Sequence, residues 1–250
     1  MFALIVLGII QGLCEFLPVS SSGHLVLLSH LFGIEDSLFV SIILHVATLL
    51  AVVVVMRKEI YYLIRHPLSN QTISLVIATI VTCLIALVLM PFISSAFEGV
   101  TLPVFFLLSA VILYFVGKGK NNQSGEITFK RAIIIGLAQG LAIFPGLSRS
   151  GTTICAGLMS GGGREESSKF SFLVSLPIIV GSLLMEVYKI CRGGEVISVN
   201  IPGMIFSSIL AFLVGVVAIK FMLKLTKKVA FKWFSVYLVI IGIISAIILW

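Results

Sequence analysis

Charged residues are scarce in this chain. Asp, Glu, Lys and Arg make up 11% of its 250 residues, against about 25% in soluble domains. The longest polar stretch, residues 118–131, is only 14 residues long, which excludes a sizeable soluble domain. With 59% hydrophobic residues and a mean hydropathy of +1.21, the composition indicates an integral membrane protein with several spans.

Cysteine motifs are missing as well. The four cysteines show neither the C-x-x-C spacing nor the His/Cys spacing of redox and metal sites. We interpret them as small apolar fillers of helices. They are Cys14, Cys83, Cys155 and Cys191.

An excess of acidic residues is also absent, and the net charge is +7. The basic residues are spread over loops between apolar segments, which is the pattern that the positive-inside rule describes for membrane proteins. We therefore expect no nucleic-acid partner.

Six apolar segments have about the 20 residues that a bilayer crossing needs. They cover residues 38–56, 73–93, 102–116, 170–188, 201–220 and 231–250. Two further stretches, 1–32 and 132–161, are apolar but broken in the middle by Pro, Gly and Ser. Because each half of a broken stretch is too short to cross alone, we interpret both as re-entrant helical hairpins.

The two broken stretches are copies of one another. A shift of 128 residues without gaps superimposes eight identical residues in the sixteen positions 8–23. Gly8, Gln11, Gly12, Leu13, Phe16, Ser20, Ser22 and Gly23 fall on Gly136, Gln139, Gly140, Leu141, Phe144, Ser148, Ser150 and Gly151. The chain is therefore interpreted as an internal duplication.

The distribution of Lys and Arg gives a topology. If both broken stretches return to the side they came from, the loops on one side hold 14 of the 17 basic residues and the opposite loops hold two. A single crossing by 132–161 would abolish this bias. The sequence therefore predicts an all-α polytopic membrane protein with six transmembrane helices plus two re-entrant hairpins, in one domain over 1–250. Its inverted repeats cover approximately 1–116 and 130–250, and the hairpin tips should meet near the midplane.

Polar residues gather at the two predicted tips. Glu15 is the only acid well away from a span end, and Arg149 is the only basic residue outside the loops. A charge inside the hydrocarbon is costly, so each needs a reason. A structural ion pair between the hairpins is one reading, but it leaves the surrounding hydroxyl groups unexplained. These are Ser20, Ser21, Ser22, Ser148, Ser150, Thr152 and Thr153.

The tips also have the pattern of an anion site. Pro18 and Pro145–Gly146 end the ascending half-helices, and serines follow at the N-cap position of the descending ones. Two helix N-termini then point at one cavity with free N–H groups and positive dipole ends. The planar guanidinium of Arg149 suits phosphate oxygens.

A carboxylate beside an anion site repels the anion unless a cation bridges them or the acid takes up a proton. Gln11 and Glu15 share a helix face, so we expect a hard divalent cation such as Mg²⁺ held by both residues and by substrate phosphates. His24 lies one turn past Ser20 and is a candidate acid or base. His45, inside a span and in neither tip, is interpreted as forming a helix-to-helix hydrogen bond.

The two tip sequences resemble the signature motifs of bacterial undecaprenyl pyrophosphate phosphatases, the bacitracin resistance proteins. QGLCEFLPVSSSGH at 11–24 matches (E/Q)xxxE followed by PxSSxGH, and PGLSRSGTT at 145–153 matches PGxSRSxxT. The continuation REESSKFSFLVSLP at 164–177 is also similar, so the resemblance spans nearly the whole chain. Gln11 departs from the glutamate of many members, which weakens a two-carboxylate metal site.

The resemblance implies hydrolysis of a polyprenyl diphosphate to its monophosphate at the outer face of the bacterial plasma membrane. This step recycles the lipid carrier for cell-wall synthesis and is linked to bacitracin resistance. The resemblance also implies dependence on Mg²⁺ or Ca²⁺, with Glu15 and Gln11 as metal ligands. Catalytic roles would fall to Glu15, Ser21, His24 and Arg149, and phosphate binding to Ser20, Ser22, Ser148, Arg149, Ser150 and Thr153.

Three matters stay open in the sequence. The nucleophile is either Ser21, deprotonated by His24 and forming a phosphoserine, or a water activated by Glu15 or the metal. The same anion site would serve a transporter or flippase of prenyl-phosphate lipids, and a purely structural scaffold is a third reading. The expected partners are the polyprenyl diphosphate and membrane lipids, with a monomer or a homodimer left open.

Overall fold

The computed structural model describes residues 1–34, 37–97, 100–117, 125–193, 200–226 and 231–250. All regular secondary structure in these ranges is helical. The helices are α1 (Phe2–Cys14), α2 (Ser21–Phe32), α3 (Ser37–Val55), α4 (Arg57–Arg65), α5 (Asn70–Phe97), α6 (Leu102–Gly117), α7 (Phe129–Leu141), α8 (Arg149–Met159), α9 (Arg164–Gly193), α10 (Ile201–Leu225) and α11 (Lys232–Leu249). The predicted all-α class is confirmed.

Four of these helices are long and apolar enough to cross a membrane, in α5, α9, α10 and α11. A fifth crossing is obtained if α3 and α4, which meet at an angle of 78°, are counted as one broken span. The remaining predicted span, residues 102–116, coincides with α6. Its 16 residues measure only about 24 Å at 1.5 Å per residue, less than the thickness of the hydrocarbon core. The described helices therefore give four to five crossings by length and composition.

One predicted loop is a helix. Residues 57–70 were expected to connect two spans, but α4 occupies Arg57–Arg65. The reason lies in the local sequence, because RKEIYYLIR contains neither Gly nor Pro and carries an acid in its first turn and a base in its last turn. Both charges suit the helix dipole.

Both predicted breaks are confirmed. The first apolar stretch folds as α1 and α2 with a turn between Glu15 and Ser20, and the second folds as α7 and α8 around Pro145–Gly146. The helices within each pair pack against each other. Each stretch is therefore a helical hairpin whose tip contains the polar residues.

Each hairpin packs most extensively against a helix from the other half of the chain, α1 against α10 and α7 against α5. Equivalent glycines make both contacts. A Cβ added at Gly8 would lie 2.4 Å from the backbone oxygen of Ser207, and one at Gly136 would lie 2.6 Å from the backbone oxygen of Ala78. Small residues allow this close approach of helices.

The two tips touch. A Cβ added at Gly23 would lie 2.8 Å from the Cα of Gly146 and 2.6 Å from the ring of Phe106, which is fully buried. The Ser150 hydroxyl at the second tip donates to the Leu17 carbonyl at the first, at 3.0 Å. Residues more than 120 positions apart in the sequence thus share one site.

Candidate active site

Glu15 is the centre of the site. Its side chain is only 2% exposed, at the end of α1. One carboxylate oxygen, Oε2, accepts from the Ser21 hydroxyl at 2.5 Å and from Gln11 Nε2 at 3.0 Å. The other, Oε1, forms an ion pair with Arg149 from the opposite tip. A buried carboxylate needs this number of donors, since an unpaired one would be strongly destabilising.

Arg149 is the first residue of α8, immediately after the second break. Its guanidinium crosses from the second tip to the first and brings a positive charge to Glu15. Since an arginine offers five N–H donors in a planar fork, pairing with Glu15 leaves further donors for an anion. The sequence predicted both charges, and the structure brings them together.

Serine caps hold the two descending helices at this point. Ser20 accepts from the backbone N–H of Gly23 at 3.3 Å, and Ser148 accepts from that of Gly151 at 3.1 Å. Both predicted N-caps are therefore confirmed. Ser20 has φ of +65°, a left-handed conformation that L-residues adopt only at a cost. This strained turn aims Ser21 at Glu15.

The His24 side chain forms no hydrogen bond with Ser21, contrary to the predicted serine–histidine pair. Its Nδ1 lies 2.8 Å from the carbonyl oxygen of Ser20, and its Nε2 lies 2.7 Å from the Tyr237 hydroxyl. Because a carbonyl only accepts, Nδ1 carries the proton, and Nε2 of the neutral ring accepts from the tyrosine. The pair is not formed because both ring nitrogens already have partners, while the Ser21 proton points to Glu15.

His45 joins the site although the sequence placed it in neither tip. Its Nε2 lies 3.2 Å from Oε2 of Glu15, and its Nδ1 lies 2.6 Å from the Ser41 carbonyl oxygen. The expected helix-to-helix contact is present, but its partner is the central carboxylate. The sequence signal for this contact is a polar stripe on α3, where Ser41, His45 and Thr48 share one face. Thr48 of this stripe also contacts the site, because its hydroxyl accepts from Gln11 Nε2 at 3.2 Å.

Two predicted phosphate ligands occupy different settings. Thr153 is fully buried, donates to the Arg149 carbonyl at 2.7 Å and lies 2.6 Å from the Ser171 hydroxyl. It therefore connects α8 to α9. Ser22, by contrast, is half-buried beside Ser21 on the first turn of α2. Tyr237, on α11, is a further site neighbour that the sequence did not indicate, since it lies in a predominantly apolar helix.

Metal-binding side chains are few. Among the described residues, no group of three or more His, Cys, Asp or Glu is placed to hold a metal ion. Gln11 Oε1 is buried without a hydrogen-bond partner, which would suit a cation beside Glu15. The equivalent Gln139 Oε1 is also unpartnered, however, and the amide of Gln139 donates to Thr82 and to the Val174 carbonyl rather than to a carboxylate. A metal at this site would fit only with most of its ligands supplied by the substrate.

Comparison with known proteins identifies the family of the chain. The family model described as bacitracin resistance protein BacA matches residues 4–244. The chain belongs to this family. The match includes both hairpins and every residue of the site described above.

Curated relatives cover almost the whole chain. An undecaprenyl-diphosphatase of Carboxydothermus hydrogenoformans is 37% identical over 247 residues, 97% of this chain and 95% of the relative. Undecaprenyl-diphosphatase 4 of Bacillus thuringiensis subsp. konkukian is 40% identical over 243 residues, 96% and 93% of the two chains. An undecaprenyl-diphosphatase of Bacteroides fragilis is 38% identical over 260 residues, 99% and 97% of the two chains.

Proposed function

We propose that this protein is a membrane-embedded phosphatase that hydrolyses undecaprenyl diphosphate to undecaprenyl phosphate and inorganic phosphate. The observation that carries the proposal is the buried contact of Ser21 and Arg149 with one carboxylate, Glu15, at the meeting point of two helix N-termini. The relatives named undecaprenyl-diphosphatase over nearly their full length support it. Membership of the bacitracin resistance family connects the activity to that antibiotic.

The positive groups of the site bind the diphosphate. The N–H groups at the starts of α2 and α8 and the free N–H groups of Arg149 converge on one region. Helix N-termini and a guanidinium fork are effective anion ligands because their donors are fixed before the anion arrives. Arg149 thus shares its charge between Glu15 and the phosphate, and its remaining donors face the charge that develops as the phosphoryl group transfers.

Ser21 is the nucleophile, and Glu15 is its base. The Ser21 hydroxyl already donates to Glu15 Oε2, with 2.5 Å between the two oxygens. Attack of Oγ on the terminal phosphorus forms a phosphoserine, breaks the bond to the bridging oxygen, releases undecaprenyl phosphate and leaves the proton on Glu15. Water then attacks the phosphoserine, Glu15 returns its proton to the departing Ser21 oxygen, and inorganic phosphate leaves. Direct attack by water activated by Glu15 is the alternative that the experiment below decides.

His24 and His45 position this pair. The Nδ1–H of His24 holds the Ser20 carbonyl and so fixes the strained turn before Ser21. His45 Nε2 contacts the same Glu15 oxygen that receives the serine proton. A base works best when its orientation is fixed by a further group.

A divalent cation, Mg²⁺ or Ca²⁺, would be held by the carboxylate of Glu15 and by Gln11 Oε1, the remaining ligands being phosphate oxygens. When bound, such an ion supplies neutralisation of phosphate charge. The support for this cation is the presence of two oxygen donors, the Glu15 carboxylate and the unpartnered Gln11 Oε1.

The proposed topology has six crossings and two re-entrant hairpins in an inverted repeat, in a bacterial plasma membrane with the site open to the outer face. The exchanged packing of α1 on α10 and α7 on α5 supports this arrangement, because equivalent hairpins contact equivalent helices of the opposite half. The prenyl chain would lie against the apolar helices, which expose many large hydrophobic side chains.

The test is phosphate release from undecaprenyl diphosphate by the purified protein in detergent, with and without EDTA. Rapid quench should trap phosphate on Ser21, and Ser21→Ala should lose at least 1000-fold in kcat, on the order of other nucleophile removals. Ser29→Ala, on the same helix, is the matched control with unchanged release. Release without a phosphoserine and with inversion of configuration at phosphorus would favour direct attack by water. Absence of release from folded protein would favour a lipid transporter.

A further inference from the structure

α4 leaves the helix before it at a sharp angle. α3 ends at Val55, and α4 begins at Arg57 with its axis rotated by 78°. The 19 residues of α3 measure about 28 Å, close to the thickness of the hydrocarbon core. If α3 crosses the membrane, α4 therefore runs along its surface rather than into it.

α4 has one face toward the protein and one face away from it. Ile60 and Leu63 pack against the hydrophobic core, yet no residue of the helix is fully buried. The opposite face forms an open cleft of about 720 Å³ whose lining is basic and aromatic: Lys58, Tyr61, Tyr62, Arg65 and His66. Such a division into faces is typical of helices that lie in a membrane interface.

The groups of this cleft hold one another in place. The Arg65 guanidinium lies 5.3 Å above the Tyr61 ring, and the His66 and Tyr62 rings are 4.6 Å apart. Tyrosine is enriched at the level of lipid headgroups, because its ring is apolar and its hydroxyl polar. Leu68, which follows the helix and is 85% exposed, is available to enter the acyl region.

The positive charge of the cleft is not neutralised by the protein. The one acid of α4, Glu59, lies 3.5 Å from Lys169 of α9, which is also 3.1 Å from Glu165. In the described ranges of the chain, no carboxylate lies within 4.0 Å of Lys58 or Arg65. The cleft therefore offers two cations to a ligand of opposite charge, and Arg65 is held in place by the Tyr61 ring.

We propose that the cleft of α4 binds the headgroups of anionic phospholipids in the leaflet that α4 touches. The charge of the cleft, its tyrosines and its position next to the end of a span all match a phosphate group carried at the membrane surface. Each Lys or Arg near an anionic membrane surface strengthens binding severalfold. This site is separate from Glu15 and Arg149 and does not depend on the phosphatase activity.

The experiment measures lipid binding to the purified full-length protein in phosphatidylcholine nanodiscs. Phosphatidylglycerol is titrated in, and bound lipid is counted by native mass spectrometry. The double variant Lys58→Gln/Arg65→Gln should weaken phosphatidylglycerol binding about 25-fold, because each of the two lost charges contributes about fivefold. Lys58→Arg/Arg65→Lys, which keeps both charges, should stay within twofold of the wild type.

The matched control is Lys130→Gln/Lys232→Gln, which removes two exposed basic residues elsewhere on the same predicted side. It should change binding less than twofold. An equal loss in this control would overturn the proposal, because general positive charge would then explain the binding. Equal affinity for phosphatidylcholine, or displacement by 10 mM inorganic phosphate, would overturn it as well. Thermal unfolding of all variants in detergent verifies that each one is folded.

Discussion

At the first hairpin tip the chain carries Glu15 and Ser21, and at the second tip the positions 128 residues later carry Ile143 and Arg149. The acidic Glu15 thus corresponds to the apolar Ile143, and the basic Arg149 corresponds to the hydroxyl residue Ser21. His24 likewise corresponds to Thr152. Neither tip holds both charges, so the ion pair exists only where the two tips meet.

The residues that both tips share have a different task. Gly8 and Gly136 each permit close contact with a helix from the other half, and Ser20 and Ser148 each cap a descending helix. These pairs stabilise the same helix contacts and helix starts in both hairpins. The repeated glycines and serine caps therefore maintain the fold, whereas Glu15, Ser21 and Arg149, which differ between the tips, form the contacts at the centre of the site.

Arg149→Lys should produce the largest loss among the conservative changes. A lysine keeps the charge but lacks the fork that reaches Glu15 and the phosphate together. We expect kcat/KM for phosphate release to fall about 100-fold, the usual effect of removing one donor to a developing charge. Arg192→Lys, on an exposed residue of α9, is the control and should stay within twofold. A comparable effect of both changes would show that the fork is not used.

Variants of His45 test whether the carboxylate at the first tip needs a further residue to fix its orientation. His45→Ala removes the contact with Glu15 Oε2 and should lower kcat about tenfold with little change in KM, since the base loses its orientation. His45→Gln, whose amide can contact Glu15 in place of the ring, should recover activity to within threefold of the wild type. Equal losses in both variants would indicate a packing role instead.

The two tips were predictable because the polar residues stand out against apolar sequence and are repeated at a fixed distance. Glu15, Arg149 and the serine caps could all be found in this way. His45 could not be assigned, because its contact with Glu15 depends on how α3 packs against α1. The pairing of Ser21 with Glu15 rather than His24 depends on the turn at Ser20, whose positive φ no local pattern indicates.

The paired glycines provide a symmetry test of the scaffold. Gly8→Ala and Gly136→Ala should each lower stability by about 1–3 kcal/mol, the range for overpacking, and by similar amounts. Gly181→Ala is the control, because nothing lies within 4 Å of an added Cβ there. It should raise stability by about 0.5–1 kcal/mol as a helical glycine is replaced. Thermal unfolding in detergent measures all three, and unequal losses at Gly8 and Gly136 would contradict the equivalence.

The serine caps should show the smallest difference. Ser148→Ala loses a cap in ordinary geometry and should cost about 1 kcal/mol. Ser20→Gly loses the same cap but relieves the left-handed conformation, so the net change in stability should be no more than a few tenths of a kcal/mol. Both values come from unfolding measurements without substrate. A larger loss at Ser20 would mean that the strain is smaller than its φ indicates.

The most direct test of the account is a double-mutant cycle on Glu15 and Arg149, with kcat/KM for phosphate release from undecaprenyl diphosphate as the measured quantity. If charges from the two tips act as one unit, Glu15→Gln and Arg149→Gln are strongly non-additive. The kcat/KM of the double variant should be within threefold of that of the less active single variant. Losses that multiply would contradict it, because they would show two groups acting independently.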